Sequence, residues 1–198
     1  MFHKRRKYIW FIFLFISLFI TFYLLWPNQD GLPILDQVSD FQIDNIHSDT
    51  YQFANDKVKI VTFFYTNCPD ICPLTMIDLA NVQEKLKDRG VLQSEIELVS
   101  ITMDPTNDTE QVIQEYANHF TEDRAGWHWL RGTSSQTKEI TSQFQMYVDE
   151  LNDQTIVHST TMYLLDQENH IRAVYDMATA GQSIDIDLIV TDATSLTR

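Results

Sequence analysis

An α/β sandwich built on a buried sheet is the fold the sequence predicts, and three observations carry that expectation. Val58 to Tyr65 is an unbroken apolar and aromatic run that fits a strand covered on both faces. Ile96 to Met103 places Ile96 and Leu98 on one side and Val99, Ile101 and Met103 on the other, which predicts a second central strand. Around these runs the apolar spacing changes to that of helices, so strands and helices alternate along the chain.

After Val58 to Tyr65, Pro73 predicts the first position of a helix in which Met76, Leu79, Ala80 and Leu86 share a face and which Gly90 ends. Asp108 with Gln111 resembles a capping box, and Val112, Ile113, Tyr116, Ala117 and Phe120 recur behind it at helical spacing. Trp127 to Leu130 predicts a short strand ended by Gly132. Ile140, Phe144, Tyr147 and Val148 predict an amphipathic helix, and the polar stretch Asp149 to Gln154 a loop. Thr161 to Leu165 and Ile171 to Tyr175 predict two short strands joined as a hairpin by Asp166 to His170, and Ile184 to Val190 a closing helix. With two cysteines at the first strand-to-helix turn, this order points to a sandwich of the thioredoxin type.

The N-terminus predicts a membrane anchor. Lys4-Arg5-Arg6-Lys7 runs into Tyr8 to Trp26, which has no charge and only Ser17 and Thr21 as polar residues. As a helix this segment would extend about 28 Å, close to the hydrocarbon thickness of a bilayer, with Tyr8, Trp10, Tyr23 and Trp26 near its ends as interfacial anchors. Leu24-Leu25-Trp26-Pro27-Asn28 contains no small-x-small cleavage site, which disfavours a removable signal peptide. The expected organisation is a cytoplasmic basic segment at 1–7, an anchor at 8–26, a tether at 27–34 and one domain at 35–198. The positive-inside rule puts that domain outside the cytoplasm, and the short leading segment favours a bacterial plasma membrane over a mitochondrial one.

All 28 acidic residues and only 10 of the 14 basic ones lie at or after Asp30, so the expected exported part carries a formal charge of −18. Such a field repels phosphates and excludes nucleic acid as a natural partner, while a solvated surface alone suffices to explain it.

Chemistry centres on Cys68 and Cys72, the only cysteines, with three residues between them. Residues four apart at a helix start have Cα atoms about 6 Å apart, which suits either a disulfide or two thiolates on one soft ion. Two thiolates leave a metal under-coordinated, so a histidine ligand is expected from elsewhere. His3 precedes the anchor, while His47, His119, His128 and His170 read as surface or packing residues. His158 lies at the entrance to the Thr161 strand, which in a thioredoxin-type sheet runs beside the strand leading to the cysteines. Met76, Met103 and Met162 fall in core patterns and are disfavoured as ligands.

The blocks Thr66-Asn67-Cys68-Pro69-Asp70-Ile71-Cys72-Pro73, Ser100-Ile101-Thr102-Met103-Asp104-Pro105 with Asp108-Thr109 after it, Trp129-Leu130-Arg131-Gly132, and Val157-His158-Ser159-Thr160 before Met162-Tyr163-Leu164 resemble those of the Sco/SenC family of copper proteins, over about Leu35 to the C-terminus. The resemblance implies a copper site formed by Cys68, Cys72 and His158, holding Cu(I) and Cu(II). It also implies a role in assembling the binuclear copper centre of cytochrome c oxidase subunit II, from an N-terminal anchor with the domain outside. Asp104 matches a family acidic position near the copper, which implies a supporting role; a turn residue before Pro105 is the alternative. A competing function is a thiol-disulfide oxidoreductase that uses Cys68 and Cys72 as a redox-active disulfide to reduce the oxidase subunit's cysteines. The proline common ahead of the strand facing the thiols in thioredoxin oxidoreductases is missing from His158 to Thr161, which weakens general exchange. A thiol peroxidase is disfavoured, because no arginine is placed beside Cys68. The copper donor and the reductant are not legible.

Overall fold

A computed structural model describes residues 10, 14–22, 31–47, 50–152 and 155–197, in two units, Met1–Asp30 and Gly31–Arg198. In the first unit residues 14–22 are helical (α1), with Leu14, Phe15, Leu18 and Phe19 exposed. The anchor expected at 8–26 extends over residues outside this description. Among the described residues no helix is long and apolar enough to cross a membrane.

The second unit is organised around β4 (Val58–Phe64) and β5 (Ile96–Thr102), parallel neighbours in register from Val58↔Ile96 to Phe64↔Thr102. Every residue of both strands is buried, as expected where each face of a parallel pair is covered. On the two sides lie β6 (Trp127–Arg131), parallel to β5, and β9 (Thr161–Leu165), antiparallel to β4. β10 (His170–Asp176) continues from β9, and β1 (Asp36–Gln37) pairs with it. β2 (Gln42–Asn45) pairs with β6 and with β3 (Tyr51–Gln52), giving the order β1-β10-β9-β4-β5-β6-β2-β3. The helices are α2 (Ile71–Asp88), α3 (Glu110–Ala117), α4 (Ser134–Gln143) and α5 (Ile186–Ser195).

Phe63 and Phe64 are consecutive in β4 and therefore point to opposite faces. Phe63 meets Phe144 and Tyr163 edge-on, while Phe64 stacks on Tyr116 and meets Trp129 edge-on. One aromatic cluster thus seals each face of the sheet, and burial of each such ring stabilises by about 2–3 kcal/mol. At the far end of the same strands Lys59 and Glu97 are in register and fully buried. Lys59 Nζ donates to the Lys57 carbonyl at 2.9 Å and Asn169 Oδ1 at 3.0 Å, and Glu97 accepts from Tyr51, from Asn55 and from His128 at 3.2 Å.

Several expected boundaries differ. Helix α2 begins at Ile71, so Pro73 is its third residue, still within the first turn where a missing N–H costs nothing. Gly90 does follow the helix, in the left-handed region at φ 73°. The helix expected through Ile140 to Val148 stops at Gln143, because Gln145 takes φ 52° and turns the chain. The expected loop at Asp149 to Gln154 is instead mostly strand. β7 (Val148–Asn152) and β8 (Thr155–His158) form a separate antiparallel pair. The helix cap expected at Asp108 is Thr109, whose hydroxyl accepts the Val112 N–H at 3.3 Å. The tether expected at 27–34 already belongs to the domain at its end, where Arg172 Nε donates to the Leu32 and Pro33 carbonyls at 3.1 and 3.2 Å.

Candidate metal centre

The chain turns immediately after β4. The Cys68 N–H donates to the Tyr65 carbonyl at 3.2 Å, and α2 starts three residues later. The Cys68 sulfur accepts the Cys72 N–H at 3.4 Å and also faces the Asp70 N–H, the Cys72 thiol and the His158 imidazole. Asp70 stands at the N-cap, yet its carboxylate caps nothing, so the sulfur takes the place of a capping oxygen. An anion is favoured there by the free N–H groups and the helix dipole.

The Cys68 thiol is accordingly pulled down to about 4, chiefly by the hydrogen bond from the Cys72 thiol, with burial opposing and His158 and the two N–H groups assisting. Cys72 is fully buried, and its thiol is pushed up because it is the donor to Cys68 and because it lies in the core. Neither cysteine is in a disulfide, and the opposed shifts favour the thiolate at Cys68 and the thiol at Cys72. Two sulfurs within hydrogen-bonding reach can close a disulfide or share a soft cation.

His158 ends β8, opposite Val148 of β7. The Tyr147 N–H donates to Ser159 Oγ at 3.1 Å and the Ser159 N–H to the Tyr147 carbonyl at 3.0 Å, which ties His158 to the hairpin. His158 Nδ1 lies 2.8 Å from the Ser159 carbonyl oxygen. A carbonyl only accepts, so Nδ1 carries a proton, and Nε2 is the ring nitrogen left to serve a metal. Tyr65 closes the site from below. Its buried hydroxyl reaches the Cys68 sulfur and the Ile156 carbonyl at 3.5 Å, and its ring meets His158 edge-on at 6.0 Å.

Cys68, Cys72 and His158 are thus brought together, while the Asp104 carboxylate has hydrogen-bond partners in its own turn. The Asp104 oxygens accept from the Asn107 N–H at 3.2 Å and side-chain amide at 2.8 Å, which is the geometry of a turn. Three of the other histidines are engaged elsewhere, while the buried His47 Nδ1 has no hydrogen-bond partner among the described residues. His128 pairs with Glu97 and with Asn45, His119 with the Glu115 carbonyl, and His170 with Asp166. Among the described residues, Asp166, Glu168 and His170 also have their donor atoms all within 4.8 Å of one another. The Asp166 carboxylate there already accepts from the Glu168 and His170 N–H groups and from Arg172.

Tyr65 and Asp108 take roles at the site that their sequence context does not assign them. The sequence marks Tyr65 only as the end of a strand. Asp108 belongs to the family-like blocks and its sequence context predicts a helix cap, but its fully buried carboxylate instead accepts from Thr66 and Thr102. The hydroxyls of Thr66 and Thr102, at the ends of two adjacent predicted strands, are the signal that could have identified it.

A thioredoxin-type sandwich whose dithiol faces a histidine from a neighbouring hairpin defines the class. The chain belongs to the SCO1/SenC family, whose profile matches residues 37–189. A SCO2-like protein of Rickettsia prowazekii is 33% identical over 125 residues, covering 58% of each chain. The chain spans only 37% and 58% of the length of the first curated relatives it matches. The structure of Arabidopsis thaliana ScoI with copper bound matches with a TM-score of 0.65 and 25% identity, over 79% of this chain and 98% of that one. BsSco, described with a disulfide switch as a member of the Sco family of cytochrome c oxidase assembly proteins, matches with a TM-score of 0.72 and 22% identity, over 85% and 98%.

Proposed function

We propose that this protein is a membrane-anchored, extracytoplasmic copper metallochaperone that serves assembly of the binuclear copper centre in cytochrome c oxidase subunit II. Cys68, Cys72 and His158 hold the copper, which is cargo. The observation that carries this reading is the imidazole beside the dithiol, with Nδ1 occupied by the Ser159 carbonyl and Nε2 left as a donor. Thiolates suit Cu(I) and the added imidazole accommodates Cu(II), so one donor set serves both oxidation states. Family membership and a copper-bound relative of the same fold support the choice of metal.

Metal analysis of the reduced protein tests the reading. One copper per chain is expected, with a sulfur-to-copper charge-transfer band in the Cu(II) form. Cys68→Ala and Cys72→Ala should each abolish the band. Copper stoichiometry and band unchanged in those variants would refute the assignment. The basic segment at 1–7 and the apolar segment at 8–26 support a plasma-membrane anchor with the domain outside, and protease added to intact protoplasts should then remove the domain. A domain protected under those conditions would overturn that orientation.

A second reading is supported by the thiolate at Cys68 beside the protonated Cys72, the arrangement that suits attack on a disulfide. In that reaction the Cys68 thiolate attacks one sulfur of the oxidase subunit's disulfide. Cys72 gives up its proton and attacks the Cys68 sulfur of the mixed disulfide, expelling the substrate's second sulfur as a thiol, so two electrons pass to the substrate and Cys68–Cys72 is left oxidised. Catalytic turnover with a dithiol donor and no metal would favour this reading. Mutually exclusive disulfide formation and copper retention would join the two readings in one cycle, with a reductant supplied from outside.

A further inference from the structure

We infer that Asp108 is the positioning residue of the dithiol loop, pinning Thr66 to the end of β5 so that the Cys68 sulfur is held against the start of α2. The parallel ladder of β4 and β5 ends at Phe64↔Thr102, and the Met103 N–H donates to the Phe64 carbonyl at 2.8 Å. Beyond that point no backbone acceptor on β5 answers the Thr66 N–H. The Asp108 carboxylate does so, with Oδ1 at 3.2 Å and Oδ2 at 3.3 Å, and it also accepts the Thr66 hydroxyl at 2.5 Å and the Thr102 hydroxyl. Strand pairing is thereby continued for two more residues by a side chain, up to the residue pair before Cys68.

The usual reason for an acid at this place in a sequence is helix capping, and Thr109 already performs it. Asp108 is fully buried, where a carboxylate is costly unless its lone pairs are filled. The nearby Arg131 does not fill them, because its Nε and Nη2 donate to the Asp108 and Pro105 carbonyls, each at 2.8 Å. Every side-chain hydrogen bond of Asp108 therefore goes to the ends of the two central strands. From Thr66 the tie passes along Asn67 to Cys68, whose sulfur must meet the Cys72 N–H and His158 at once.

The inference rests on the copper reading for one of its two readouts. The full-length reduced chain is compared with Asp108→Ala, Asp108→Asn and Thr66→Val. Cu(I) affinity is measured by competition with a chromophoric chelator, the rate of Cys68 alkylation at fixed pH, and stability by urea midpoint. Asp108→Ala should weaken Cu(I) binding about 10-fold to 100-fold and Thr66→Val about 10-fold, the range usual for groups that orient metal ligands. Asp108→Asn retains an oxygen acceptor for Thr66 and should restore most of the affinity. Ile113→Ala, a buried change in α3 that removes none of the Asp108 side-chain hydrogen bonds, supplies a destabilised control. Unchanged affinity and alkylation in both Asp108→Ala and Thr66→Val would overturn the inference. So would losses that follow the urea midpoint along the same line as Ile113→Ala. A wild-type chain that retains no copper would refute the copper reading instead, and the alkylation rates would still decide the role of Asp108.

Discussion

Replacing Cys72 by alanine should raise the pH at which Cys68 becomes a nucleophile. Cys68 titrates at about 4 in the folded protein, against 9.0 for an ordinary thiol, and the Cys72 hydrogen bond is the largest cause. At pH 5 the wild-type site then holds about ten thiolates per thiol, where a free cysteine would hold about one in 10,000. Cys72→Ala removes the largest contribution and leaves His158 and the two N–H groups, so the midpoint should move up by more than about one pH unit, a tenfold loss of thiolate at pH 5 for each unit. Alkylation of Cys68 by iodoacetamide from pH 3 to 9, with the site verified by mass spectrometry, reads the midpoint directly. A wild-type rate that falls tenfold per unit from pH 8 downward, or superimposable wild-type and Cys72→Ala profiles, would refute the shared-proton arrangement. Because the folded value is depressed, the Cys68 thiolate adds stability that is full above the unfolded thiol range and is lost as pH falls through about 4. Near neutral pH, Cu(I) uptake by both sulfurs should release about one proton, from Cys72, instead of two.

His158→Ala should leave the dithiol free to form a disulfide while abolishing the Cu(II) charge-transfer band; a retained band would mean another residue completes the donor set. Asp104→Asn should keep Cu(I) affinity within about threefold, since its oxygens serve the Asn107 turn, and a loss of the 10-fold to 100-fold kind seen for orienting groups would assign it to the site. Phe144→Ala should cost about 3–5 kcal/mol in urea unfolding, because the buried ring meets Phe53, Phe63 and Tyr163; a cost under about 1 kcal/mol would mean the cluster collapses to fill the gap. Glu97 is held down at about 2 by His128, Tyr51 and Asn55 against the opposing effect of burial. Its contribution to stability should be present above the unfolded carboxylate range and vanish as pH falls through about 2, and Glu97→Gln should remove that acid dependence.

The central strands were legible because burial on both faces writes itself as a continuous apolar run, and Val58 to Tyr65 and Ile96 to Met103 are such runs. Cys68 and Cys72 announced themselves by spacing, and His158 by its place ahead of a strand that does lie beside β4. The β7–β8 hairpin was hidden, since its Asp149, Glu150 and Asn152 are polar and it lies outside the main sheet, where no alternation is imposed. β1, β2 and β3 have two, four and two residues, too few for a periodic pattern to emerge. Asp108 and Thr109 are adjacent and both are good N-cap residues, so sequence alone could not tell which would cap and which would turn inward. That choice was made by the unfilled Thr66 N–H beyond the ladder, a tertiary demand with no local signature.

The strand order has a consequence for how this domain behaves in a crowd. A sheet that ends in a long bare strand offers a row of unpaired N–H and C=O groups on which another chain can add. Here the outermost strands, β1 and β3, are two residues each, too short to template an incoming strand. Past its short pairing with β1, β10 is interrupted by an irregular register between Ile171 and Ala173 and carries Arg172 and Asp176 along the uncovered stretch. Bulged and charged margins of this kind resist edge-to-edge growth. The eight-stranded sheet is thereby closed to fibril-like extension, and its open, reactive chemistry is confined to one end of β4.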